Sequence, residues 1–95
     1  MTEKLTTFDS AEHLNSEQAI AIFLEDAFES GDPACIPLAL GVTARARGMT
    51  EIAMQAGLSR EQLYRPFSKE GNPTLRSMLA VMQVLGIRMS VKRAV

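Results

Sequence analysis

The chain has 95 residues, room for one domain rather than two, and 46% of them are hydrophobic, so a packed core is feasible. Aromatics make up 5% with no Trp, which leaves an aliphatic core supplied with six methionines. The formal net charge of −1 excludes no partner by itself. A single cysteine, Cys35, excludes an intrachain disulfide and suits a reducing, cytoplasmic compartment. No charged-then-apolar leader and no membrane-length apolar run is present, so neither export nor insertion is expected.

Charge is unevenly placed. Residues 1–44 hold one basic residue, Lys4, against eight acidic ones, a net of −7. Residues 45–95 hold nine basic residues against three acidic ones, a net of +6. The split fits two partners, one cationic and one anionic, and equally fits two solvated charged faces.

Residues 1–14 show no periodicity and read as an extended or mobile arm, with Phe8 and Leu14 as candidate anchors. Residues 15–95 read as a single domain. Asn15 is placed to cap a helix, and Gln18 to complete a capping box. Ile20, Phe23, Leu24, Ala27 and Phe28 recur at three and four, so the helix is amphipathic and ends at Gly31. Asp32 as N-cap and Pro33 in the first turn restart a helix, with Ile36, Ala39, Leu40 and Ala46 facing inward and Gly48 as its stop. Arg45 and Arg47 lie in its last turn. They suit the helix dipole there, and they suit phosphate equally.

Residues 49–68 carry the most specific pattern. Thr50 can cap a short helix in which Ile52, Ala53 and Ala56 face inward. Gly57 takes the positive φ that a sharp turn requires, and Leu58 fills the corner. Ser59 and Gln62 form a capping box for a second helix, whose Leu63 and Phe67 fall on one inner face. That leaves Arg60, Glu61, Tyr64 and Arg65 pointing out. This is the pattern of a helix-turn-helix, whose second helix lays its N-terminal residues on base edges in the major groove. An ordinary helical hairpin with a polar outer face is the plainer reading. Pro66 cannot donate back to Gln62, so the second helix is expected to end near Arg65.

A polar loop, KEGNPT, follows. Thr74 caps a helix in which Leu75, Met78, Leu79, Met82 and Leu85 form an apolar stripe, and Gly86 ends it. Ile87, Met89 and Val91 then alternate with Arg88, Ser90 and Lys92, which predicts a half-buried β-strand over 87–92. A lone strand needs a partner, from the N-terminal arm, another copy or another protein. The expected fold is all-α: five helices, an N-terminal arm and a short C-terminal strand.

Four segments carry a resemblance: HLNSEQAIAIFLEDAFESGDP, ALGVTARARGMTEIA, GLSREQLYRPFS and EGNPTLRSMLAVMQVLGIRMSV. In their order and spacing the chain resembles the addiction-module antidote family, the HigA-like antitoxins with a lambda-repressor-like helix-turn-helix. The resemblance covers nearly the whole chain, and ARARGM with LSREQLY and GNPT is far more specific than a generic helix-turn-helix. It implies a bacterial or prophage antitoxin of a type II module. Such a protein neutralises a RelE/HigB-like mRNA-cleaving toxin by direct binding and represses its own operon.

Carried onto this sequence, the recognition positions are Ser59, Arg60, Glu61, Tyr64 and Arg65. Arg60 and Arg65 are the candidates for base edges, and Ser59 and Tyr64 for phosphate or thymine methyl groups. Thr50, Lys69 and Asn72 are candidates for phosphate. Glu61 has three readings: an acceptor from cytosine, a repellent of wrong sites, or a first-turn acid for the helix dipole. The family more often has a small residue where Pro66 stands, which leaves the direction of Arg65 open.

A toxin that binds RNA is usually basic, so Glu17, Glu25, Asp26 and Glu29 are candidates for meeting it. Ile87, Met89 and Val91 of the expected strand are candidates for pairing with a toxin sheet or across a homodimer. The dimer is preferred, because operators read by this motif are two-fold symmetric. No enzyme, cofactor, metal or membrane role is expected. His13 and Cys35 lie in different segments without catalytic or metal-ligand spacing. Two further classes remain open: an interaction module using the helix-turn-helix only as scaffold, and a solitary phage-type repressor.

Overall fold

The structure of the chain, a computed structural model, describes residues 16–94. The arm expected at 1–14 and the cap expected at Asn15 lie outside the described residues. Among the described residues there are five helices: α1 (Glu17–Ser30), α2 (Cys35–Arg47), α3 (Met49–Ala56), α4 (Arg60–Tyr64) and α5 (Leu75–Val84).

Each boundary follows from a particular group. Ser16 is extended, and its Oγ accepts from the Ala19 N–H at 3.1 Å. Ala19 therefore holds the position a capping box needs, and Gln18 does not complete one. The inward phase of α1 is as expected, with Ile20 and Leu24 buried and Gly31 ending the helix. Asp32 organises the entry to α2. Its carboxylate accepts from the Ala34 N–H at 2.9 Å, and its carbonyl accepts from the Cys35 N–H at 2.9 Å. Ala34 occupies the N-cap position, so Pro33 belongs to this turn and not to the helix as expected. Pro37 is tolerated two residues inside α2, where the backbone N–H would find no helical partner.

Gly48 precedes α3, and Thr50 is its second residue without a side-chain cap bond, which corrects the cap expected at Thr50. At the other end Gly57 has φ 74°, and the Leu58 N–H reaches back to the Ala53 carbonyl at 2.9 Å. That bond closes a left-handed glycine stop. The capping box of α4 is present: Ser59 Oγ accepts from the Gln62 N–H at 3.0 Å, and Gln62 Oε1 accepts from the Ser59 N–H at 2.9 Å. α4 is 5 residues long and stops at Tyr64, two residues before Pro66. So short a helix depends on its ends. Ser59→Ala is expected to cost about 0.5–2 kcal/mol in urea denaturation, as loss of an N-cap does; an unchanged midpoint would deny the cap any role.

Near the C-terminus one expectation holds in part and one fails. In α5 the buried residues are Val81 and Met82, followed by Leu85, with Met78 packed beside them. Leu75 is 60% and Leu79 44% exposed, so of the expected stripe Met78, Met82 and Leu85 face the core, Leu75 and Leu79 do not, and Val81 takes their place. No strand is seen among the described residues. The Ile87 N–H donates to the Met82 carbonyl at 2.8 Å and completes the helix stop. Residues 88–94 are irregular, because alternation alone makes no strand, and among the described residues no second extended segment offers a ladder.

α1 packs on α2, α2 on α3 and α5, and α3 on both α4 and α5. Leu40, Ala44, Leu63 and Val81 are fully buried at the junction, with Phe67 and Ala53 beside them. Thr43 is the buried polar side chain there, and its hydroxyl donates to the Ala39 carbonyl at 2.9 Å. The α2 backbone comes close to the chain after α4 at Gly41, where a Cβ would overlap the Phe67 carbonyl.

Candidate nucleic-acid interface

The outer face of α4 is built from its inner one. Leu63 is 0% and Phe67 1% exposed, which fixes the rotation of the helix on the core. With the capping box setting its start, the remaining side chains have one direction left. Arg60, Glu61 and Arg65 are exposed, and Tyr64 is 62% exposed. Ser59 is exposed as well, but its hydroxyl is engaged in the capping box. Thr50, Lys69 and Asn72 are exposed, Thr50 on α3 and the other two in the loop after α4.

Arg65 does not stand alone. Its guanidinium lies 3.4 Å from the Glu61 carboxylate one turn back, with the two side chains 81% and 75% exposed. A pair this open to water contributes little stability, about 0–1 kcal/mol. It does orient Arg65 along α4 after the helix has ended. Glu61, Tyr64 and Arg65 also line one wall of an open hollow of about 410 Å³. Leu38 and Arg45 of α2 line the same hollow. Sequence reasoning connected Arg45 with the helix dipole or with phosphate but not with α4. The spacing of Leu38 and Arg45, two turns apart on α2, puts them on one face, but nothing in the sequence says that this face meets α4.

The residues expected to meet a protein partner lie elsewhere. Glu17, Glu25, Asp26 and Glu29 are exposed on α1, and Ile22 among them is 54% exposed. Glu25 and Glu29 form a wall of a groove of about 620 Å³, and Ile87, Met89, Arg88 and Lys92 form the other. Thus part of the acidic set and part of the C-terminal set meet. Glu17, Asp26 and Val91 do not line this groove, and Val91 is 95% exposed. Ile87 is half-buried and packs against the core.

Among the described residues no group of three His, Cys, Asp or Glu side chains is placed to hold a metal ion. No helix there is long and apolar enough to cross a membrane.

Comparison with known proteins bears on the whole chain. A family profile described as "Probable addiction module antidote protein" matches residues 4–93. An uncharacterized protein of Haemophilus influenzae is 44% identical over 94 residues, covering 99% of this chain and 97% of that protein. No solved structure matches. With nearly every residue inside the profile and a relative matched over nearly its whole length at this identity, the chain belongs to the family of probable addiction module antidote proteins.

Proposed function

We propose that the chain is the antitoxin of a type II toxin–antitoxin module and the repressor of its own operon. Its toxin is a RelE/HigB-like mRNA-cleaving protein, held by direct binding. Its operator is read by α3, the Gly57 turn and α4 acting as a lambda-repressor-like, HigA-like helix-turn-helix. The observation that carries the DNA reading is α4 itself. A capping box and two buried anchors, Leu63 and Phe67, hold a short helix with Arg60, Tyr64 and Arg65 outward. Membership in an antidote family carries the toxin reading, since an antidote implies a toxin.

In this reading Arg60, the first residue of α4, reaches a base edge, as N-terminal residues of a recognition helix do. Ser59 presents its capped turn, and Thr50, Lys69 and Asn72 approach phosphates from either side. Glu61 faces the same surface and disfavours sites that offer it no donor. The chain works in the cytoplasm as a single domain and binds DNA as a homodimer, two copies on a two-fold operator. The acidic face of α1, with Glu17, Glu25, Asp26 and Glu29, meets the basic toxin. The groove beside Ile87 and Met89 provides the apolar part of that surface or of the dimer.

The test uses a labelled duplex taken from upstream of the chain's own gene and a scrambled duplex of equal length. Anisotropy is expected to show tighter binding to the first, falling steeply with salt. Co-expression with the product of the adjacent gene is expected to relieve growth arrest caused by that product alone. Equal binding to both duplexes would sink the repressor reading, and unrelieved arrest would sink the antitoxin reading with that toxin.

A further inference from the structure

We infer that Arg45 and Arg65 form a two-guanidinium seat for a backbone phosphate of duplex DNA, in the hollow between α2 and the end of α4. The inference rests on the DNA-binding reading of α4 and adds the element that reading leaves out.

The hollow joins two elements that sequence order keeps apart. Arg45 comes from the last turn of α2, and Tyr64 and Arg65 from the end of α4. It measures about 410 Å³ and is open to solvent, so a phosphate can enter without rearrangement of the core. The charged residues that line it are Arg45, Arg65 and Glu61, a net positive charge. Guanidinium forks match phosphate oxygens geometrically, and phosphate binds them more strongly than a neutral acceptor does.

Arg65 is ready for this role. Pro66 forbids the helix to continue, so Arg65 sits at the C-cap, at the far end of α4 from Arg60. Its partner Glu61 holds it at 3.4 Å in a pair so exposed that exchange for a phosphate costs little. The Ser68 hydroxyl donates to the Arg65 carbonyl at 2.8 Å and fixes the backbone beneath the guanidinium. Arg65, expected on a base edge, thereby becomes a phosphate contact, while Arg60 keeps the base.

The helix dipole does not distinguish Arg45 from Arg47, which share the same last turn and the same benefit. The hollow distinguishes them: Arg45 lines it and Arg47 does not. A phosphate gripped between α2 and α4 would set the register of Arg60 along the groove, since phosphate contacts position and base contacts specify.

The experiment measures binding of the full chain to the upstream and scrambled duplexes across a salt series, for wild type, Arg45→Ala, Arg45→Lys and Arg47→Ala. Melting curves confirm that each variant folds. Arg45→Ala is expected to weaken binding to both duplexes by one factor and to reduce the slope of log K against log salt by about one per bound copy. Between 50 and 200 mM salt, wild-type affinity should therefore fall about 3.5-fold more per copy than that of the variant. Arg45→Lys is expected to restore the slope, and Arg47→Ala to leave it unchanged.

Equal slopes for wild type and Arg45→Ala would overturn the inference, as would an equal loss in Arg47→Ala. A change in the ratio between duplexes with the slope kept would also overturn it, because Arg45 would then touch a base. If wild type binds both duplexes equally, the operator reading alone fails and the slopes still decide the phosphate seat. Absence of binding to either duplex overturns both.

Discussion

Gly41→Ala is expected to lower the melting temperature by about 12–24 °C, equivalent to about 3 kcal/mol in a chain of this size. Propensity predicts the opposite sign. Gly41 lies inside α2, where alanine is favoured by about 1 kcal/mol. The reason propensity loses is on the other side of the contact: a Cβ at Gly41 would overlap the Phe67 carbonyl. A side chain could turn away from such an intrusion, but a backbone carbonyl cannot. Phe67 itself is 1% exposed and anchored in the core, so neither it nor α2 has room to retreat. With total stability of about 5–14 kcal/mol for about this many residues, the fold survives but is weakened. Thermal denaturation followed by circular dichroism measures the change. A variant melting at or above wild type would mean that the α2–Phe67 approach is not held in solution.

Gly41 also shows which parts of the molecule were legible in advance. Nothing local marks it: a glycine inside a helical pattern reads as a mild defect until the segment after α4 is seen against it. Where local chemistry decides, the sequence was readable. Gly31, Gly48 and Gly57 end helices as expected, the Ser59–Gln62 box is formed, and Pro66 cuts α4 short. The errors fall where two arrangements satisfy the same local rule. Asn15 and Ser16 are both good caps, and one bond from the Ala19 N–H selects Ser16. In α5, Leu75, Met78, Leu79, Val81, Met82, Val84 and Leu85 are apolar nearly all round, so the three-and-four spacing fits more than one phase. Packing against α2 and α3 chooses the phase that buries Val81 and leaves Leu75 out. The 87–92 segment alternates like a strand, but a ladder is a property of two segments. The outward set on α4 could be read from the sequence because Leu63 and Phe67 fix its phase. Arg45 could not be joined to it, because that neighbourhood is created by tertiary packing.

Arg60→Ala is expected to reduce the preference for the upstream duplex over the scrambled one, by about 1–3 kcal/mol for each lost bidentate pair. A dimer on a two-fold operator loses two such pairs, so the discrimination falls by about 2–6 kcal/mol per assembled complex. The fold should be indifferent to the change. Arg60 is exposed at the first position of α4, and the capping bonds belong to Ser59 and Gln62. Alanine is also a good helix former there. The salt slope should stay near the wild-type value, because a contact to a base edge does not neutralise a phosphate. This gives Arg60 and Arg45 opposite signatures in one assay: Arg60 sets the ratio between duplexes, and Arg45 sets the slope for both. An Arg60→Ala variant that loses affinity equally for both duplexes, with a shallower slope, would place Arg60 on the phosphate backbone. In that case the reading of sequence would pass to Glu61 and Tyr64. Glu61 can accept from cytosine but cannot serve guanine, so the operator would then be recognised at cytosine by a carboxylate acceptor rather than at guanine by an arginine fork.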